Sequence, residues 1–111
     1  MKTLFIDLDG VLNEYDGNYE ENYIPPLKDG ALDLLKKLSQ DYKIKIFTTR
    51  DKNLAYKWIC SNNLEEYVFE VTNVKEPAYA YIDDRNINFN GNYNKLYNDI
   101  KNFNVWYRNG H

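Results

Sequence analysis

The chain has 111 residues, 43% apolar and 28% charged, with a net charge of −3 and a pI near 5.1. That length suits one domain with one modest core. The acidic balance without a basic stripe argues against nonspecific nucleic-acid binding, and no apolar run approaches the length needed to span a membrane. The lone Cys60 excludes an internal disulfide, which fits a reducing, cytoplasmic setting. The N-terminus opens on a strand pattern without the layout of a signal peptide.

The predicted elements alternate strand and helix. Lys2–Leu8 reads as a buried strand through Leu4, Phe5, Ile6 and Leu8, stopped by Gly10. Residues 13–24 are polar and read as a short flap, ended by Pro25-Pro26. Leu27–Ser39 has helical spacing at Leu27, Ala31, Leu34, Leu35 and Leu38. Tyr42–Thr48 alternates Lys43 and Lys45 with Ile44 and Ile46, a second strand. Asp51 is placed to cap a helix through about Ser61. Short strands are expected at Tyr67–Val71 and Tyr79–Ile82, an edge strand at Ile87–Phe89, a helix at Tyr93–Asn102 and a last strand at Asn104–Tyr107. The pattern predicts an α/β domain with a mostly parallel sheet, a Rossmann-like three-layer sandwich.

Chemistry gathers where strands end. In open α/β sheets ligands bind beyond the carboxyl ends of the strands. The first strand ends at Asp7 and Asp9, the second at Thr48, the fourth at Asp83-Asp84, and Lys75 precedes the fourth. Such a set suits phosphoryl transfer. Carboxylates bind Mg²⁺, a cation and a lysine offset phosphoryl charge, and an Asp can attack phosphorus to form an aspartyl-phosphate. Asp9 needs a local turn to reach the leaving group, and Gly10 permits one.

These residues carry a resemblance. Asp7-Leu8-Asp9-Gly10-Val11, then Ile44-Lys45-Ile46-Phe47-Thr48-Thr49-Arg50, Lys75, and Tyr81-Ile82-Asp83-Asp84-Arg85 resemble, in order, the motifs of the haloacid dehalogenase (HAD) superfamily. The resemblance spans residues 1 to about 90. It implies an Mg²⁺-dependent phosphomonoester hydrolase. Asp7 is then the nucleophile and Asp9 the general acid/base. Asp7, the Asp9 main-chain carbonyl and Asp83 bind Mg²⁺, with Asp84 direct or through water. Thr48 and Lys75 hold the phosphate. The Asp at the second motif position is that of the family's phosphatases. The short spacing between motifs implies a capless member, with the 13–24 flap in place of a cap.

Each signal also has a plainer reading. Thr48 or Thr49 alone would be a strand end, and Lys75 a loop lysine. Arg50 and Arg85 suit a structural ion pair as well as a substrate contact. Asn13 reads as solvated loop before substrate contact, and the terminal His111 as a bystander. The flap tyrosines, Tyr15, Tyr19 and Tyr23, reflect a chain that holds 11 tyrosines.

Other classes fit less well. A receiver domain has its acidic pair before the acceptor Asp, the reverse of the order here. A P-loop and a Gly-x-Gly-x-x-Gly turn are absent. The competing reading is a catalytically silent phosphate-binding or scaffold domain. The expected partner is a phosphorylated substrate, with nucleic acid only as a nucleotide or a strand end, and no membrane.

Overall fold

The computed structural model describes residues 1–74, 76, 78–82 and 91–109, with 102–109 as backbone alone. In chain order they form β1 (Lys2–Asp7), α1 (Ala31–Leu38), β2 (Tyr42–Phe47), α2 (Lys52–Ser61), β3 (Glu70–Thr72), β4 (Ala80–Ile82) and α3 (Tyr93–Asn109). The four strands make one parallel sheet in the order β3-β2-β1-β4. The Rossmann-like α/β expectation holds.

The sheet order follows from hydrophobicity and register. β1 carries the consecutive apolar run Leu4-Phe5-Ile6 and lies inside the sheet, flanked by β2 and β4, as a parallel strand buried on both faces requires. Leu4 and Ile6 pair with Ile44 and Ile46 on one side and with Ala80 and Ile82 on the other. All six point into one buried cluster, which also takes Ala31, Leu34, Leu35 and Leu38 of α1, Ala55 and Ile59 of α2, and Leu96 and Ile100 of α3. All three helices therefore pack on this face. Each fully buried aliphatic side chain contributes about 1.5–3 kcal/mol.

The far face is thinner. Phe5 is buried there beneath Tyr81, with ring centroids 4.9 Å apart, and Lys45 lies beside it. Glu76, between β3 and β4 in sequence, meets both Lys45 and the Tyr81 hydroxyl on this face. Among the described residues no helix covers this face.

Helix ends follow local chemistry. The Asp51 side chain accepts from the Asn53 N–H at 3.1 Å and starts α2. Asn63, at φ 60°, ends it in the left-handed conformation that Asn tolerates. α1 begins at Ala31, later than the spacing predicted. Leu27 instead bridges to Asn13, Lys28 N–H donates to the Leu12 carbonyl, and Gly30 turns the chain at φ 88°. The third strand comes late as well, at Glu70–Thr72, because Tyr67 closes a turn onto Leu64.

One expectation is overturned. Asn104–Tyr107 is not a strand but the continuation of α3. No Pro or Gly interrupts residues 93–109, so a helix capped at Asn92, whose side chain accepts from Lys95 N–H, runs on. The Ile87–Phe89 edge strand lies outside the described residues. Among the described residues no helix is long and apolar enough to cross a membrane.

Candidate active site

Asp7 and Phe47 are register partners at the carboxyl ends of β1 and β2. The ladder runs one step further, as Leu8 N–H donates to the Phe47 carbonyl and Thr48 N–H to the Thr72 carbonyl. Beyond those ends opens a cleft of about 160 Å³ lined by Asp7, Leu8, Asp9, Phe47, Thr48 and Thr49. Residues that stand 40 apart in sequence thus face one another, as the carboxyl-end rule for α/β sheets requires.

A tight turn presents Asp9. Leu12 N–H bonds back to the Leu8 carbonyl at 3.0 Å, and Gly10 sits at φ 85°. That conformation disfavours any residue with a Cβ, so the glycine is what lets the chain reverse directly after Asp9. Asn13 locks the turn. Its Oδ1 accepts from Gly10 N–H at 3.0 Å, and its Nδ2 donates to Asp9 Oδ1 at 2.9 Å. Asn13 is 1% exposed, so the expectation of a solvated loop residue is wrong. A buried amide must satisfy its hydrogen bonds, and the turn satisfies these.

Arg50 forms the ion pair of its two readings. It is 2% exposed although charged. Nε donates to Asp9 Oδ2 at 2.9 Å, and Nη2 to Asp9 Oδ1 at 3.1 Å, a two-pronged grip. Nη1 donates to the carbonyls of Glu20 at 2.7 Å and Tyr23 at 3.0 Å, both in the flap. The Tyr19 ring covers the guanidinium at 4.7 Å from its centroid. The same arginine's N–H donates to Thr48 Oγ1 at 3.1 Å. The Thr48 hydroxyl is an acceptor in that bond and still carries a proton it can donate. Thr49 is exposed on the cleft rim.

The flap is closed at its base. Glu14 N–H donates to the Pro26 carbonyl at 2.9 Å, and the Asn13–Leu27 bridge lies beneath it. Ile24 is buried, and Trp58 Nε1 on α2 donates to the Pro25 carbonyl. From the other side, the Tyr93 hydroxyl of α3 donates to the Val11 carbonyl at 2.7 Å. Burial pushes that phenol well above its ordinary pKa, with the nearby Glu14 charge adding to the effect.

The structure therefore brings Asp7, Asp9, Thr48 and Thr49 together. Lys75, Asp83, Asp84, Arg85 and His111 lie outside the described residues. Among the described residues no three His, Cys, Asp or Glu side chains form a metal-sized group. Asp7 and the Asp9 carbonyl are hard oxygen donors that fit Mg²⁺, which is commonly held by only one or two carboxylates. The Asp9 carboxylate is engaged by Arg50 and Asn13.

The pattern reading missed the structural weight of Asn13, the Arg50 bonds to the flap and the Tyr93 tie. For Asn13 a signal did exist, because an Asn three residues after a turn glycine and directly after the apolar Val11-Leu12 suits a turn-locking side chain.

No family model matches the sequence, and no curated protein matches it. Among solved structures, a conserved protein from Bacteroides thetaiotaomicron shares the fold with a TM-score of 0.69 and 21% sequence identity. The match covers 91% of this chain and 90% of that one. At that identity the likeness establishes the fold alone.

Proposed function

We propose that this protein is a magnesium-dependent phosphomonoester hydrolase of the HAD type, working through an aspartyl-phosphate in a cytoplasmic setting. One observation carries the reading. The carboxylate of Asp7 and the hydroxyl-bearing Thr48 line one cleft beyond adjacent parallel strands, with Asp9 delivered beside them by the Gly10 turn.

In this reading an Asp7 carboxylate oxygen attacks phosphorus as the bond to the leaving oxygen breaks. Asp9, whose oxygens accept from Arg50 and Asn13, would turn one oxygen, protonated, out of those bonds and give its proton to the leaving oxygen. Water then attacks the phosphorus of the acyl phosphate, Asp9 takes the water's proton, and Asp7 is restored as phosphate leaves. Thr48 donates to a phosphoryl oxygen, and Lys75 offsets its charge. Asp7, the Asp9 carbonyl, Asp83 and, directly or through water, Asp84 would hold Mg²⁺, which would supply further charge neutralisation. Asp83 and Asp84 directly follow Ile82, whose partner Ile6 directly precedes Asp7, which supports their place in the set. Thr49 and Arg85 are proposed substrate contacts.

The test is a panel of phosphomonoesters with and without Mg²⁺, run with wild type and Asp7→Asn. Metal-dependent phosphate release that Asp7→Asn abolishes supports the hydrolase. Phosphate binding without turnover in the wild type would favour the silent domain instead.

A further inference from the structure

We propose that Arg50 is a positioning residue that couples the flap to Asp9, so that one guanidinium sets both the orientation of the acid and the seat of the flap beside it. The consequence for catalysis rests on the hydrolase reading above; the coupling itself does not.

The donor count carries the argument. An arginine offers five N–H groups in a rigid fork. Nε and Nη2 point at the Asp9 carboxylate, and both hydrogens of Nη1 go to flap carbonyls, those of Glu20 and Tyr23. The two sets leave one planar group, so neither can shift without turning the other. The Asp9 carboxylate is held on its second side by Asn13, which leaves its angle little freedom.

The flap contributes backbone carbonyls to this grip, with Tyr19 as the one side chain laid over it. The latch therefore reads the path of the flap, and the Tyr23 side chain stays 52% exposed. A lysine could not serve, because a single ammonium cannot span a carboxylate and two carbonyls in one plane. Arg50 is also buried, and a buried charge is tolerated only where its partners stay in place. Loss of Asp9's charge should then loosen the flap from a distance, as removal of Arg50 does directly.

Hydrogen exchange of the flap amides in wild type, Arg50→Lys and Asp9→Asn is the test, read by mass spectrometry over residues 14–26. Both variants should raise flap exchange by about tenfold or more, with β1 and β2 unchanged. Thr49→Ala, on the rim and outside the latch, should leave the flap as in wild type. In steady-state assays Arg50→Lys should lower kcat by about 10–100-fold with little change in KM, the mark of a misplaced acid. Unchanged flap exchange in both variants would overturn the coupling. Should Arg50→Lys not fold, Asp9→Asn decides alone, since it leaves the arginine in place. A wild type that releases no phosphate while its flap still responds to Asp9→Asn would sink the hydrolase reading and leave the coupling standing.

Discussion

At the scale of single residues the site depends on groups that can be altered one atom at a time. Asp7→Asn keeps the shape of the proposed nucleophile and removes its charge, so on the hydrolase reading phosphate release should fall by about a thousandfold or more in a stopped-time phosphate assay. Thr48→Val keeps the volume but deletes the hydroxyl, and kcat/KM should drop by about 100-fold, the usual loss for one phosphoryl or oxyanion donor. The deleted hydroxyl also accepts from Arg50 N–H, so some stability goes with it. Gly10→Ala isolates backbone strain. An added Cβ there meets no atom within 4 Å, yet φ stays at 85°. Urea unfolding should show a loss of about 1–2 kcal/mol, with no steric clash to blame. Gly30→Ala should cost more, since its Cβ would come within 2.9 Å of the Tyr93 ring.

Between elements the decisive ties are polar and few. The Tyr93 hydroxyl joins α3 to the turn that carries Asp9, through the Val11 carbonyl. Tyr93→Phe should cost about 1 kcal/mol, the net worth of one hydrogen bond plus an orphaned carbonyl. The same bond has a pH signature. The folded phenol titrates above its ordinary value of 10.0, so its contribution is whole below pH 10 and is lost as pH climbs through the folded pKa. Wild type should therefore lose stability in alkaline urea melts, and Tyr93→Phe should show a shallower slope there. Tyr42, also raised by burial, adds to the wild-type slope in the same sense. Elements were largely legible in advance, because alternation in Tyr42–Phe47 and helical spacing from Ala31 to Leu38 are local patterns. The departures have two sources, a tertiary demand at Leu27 and local helix propagation from the Asn92 cap at Asn104–Tyr107. Leu27 looked helical by spacing but is held by the flap bridge, and Asn104–Tyr107 looked like a strand until the capped helix before it carried through.

For the molecule as a whole, binding should report on folding. If Mg²⁺ and phosphate occupy the cleft only in the folded state, ligand at about 100 times its Kd adds about 2.7 kcal/mol. For a chain of this size that is a rise in Tm of more than about 10 °C, measurable by calorimetry. EDTA should abolish the shift, and Asp7→Asn should remove most of it. The sequence by itself determined the order of chemistry along the chain: Asp7 and Asp9 after one apolar strand, Thr48 after the next, Asp83-Asp84 after another. It did so because side-chain periodicity and chain reversal are local properties, and parallel sheets bring strand ends together. Only the tertiary structure decided that Asn13 is buried and that Arg50 grips Asp9 across 41 residues while holding the flap. Those choices turn on desolvation. A buried guanidinium takes whatever carboxylate and carbonyls the folded chain sets within reach, and no pattern along the chain records which ones those are.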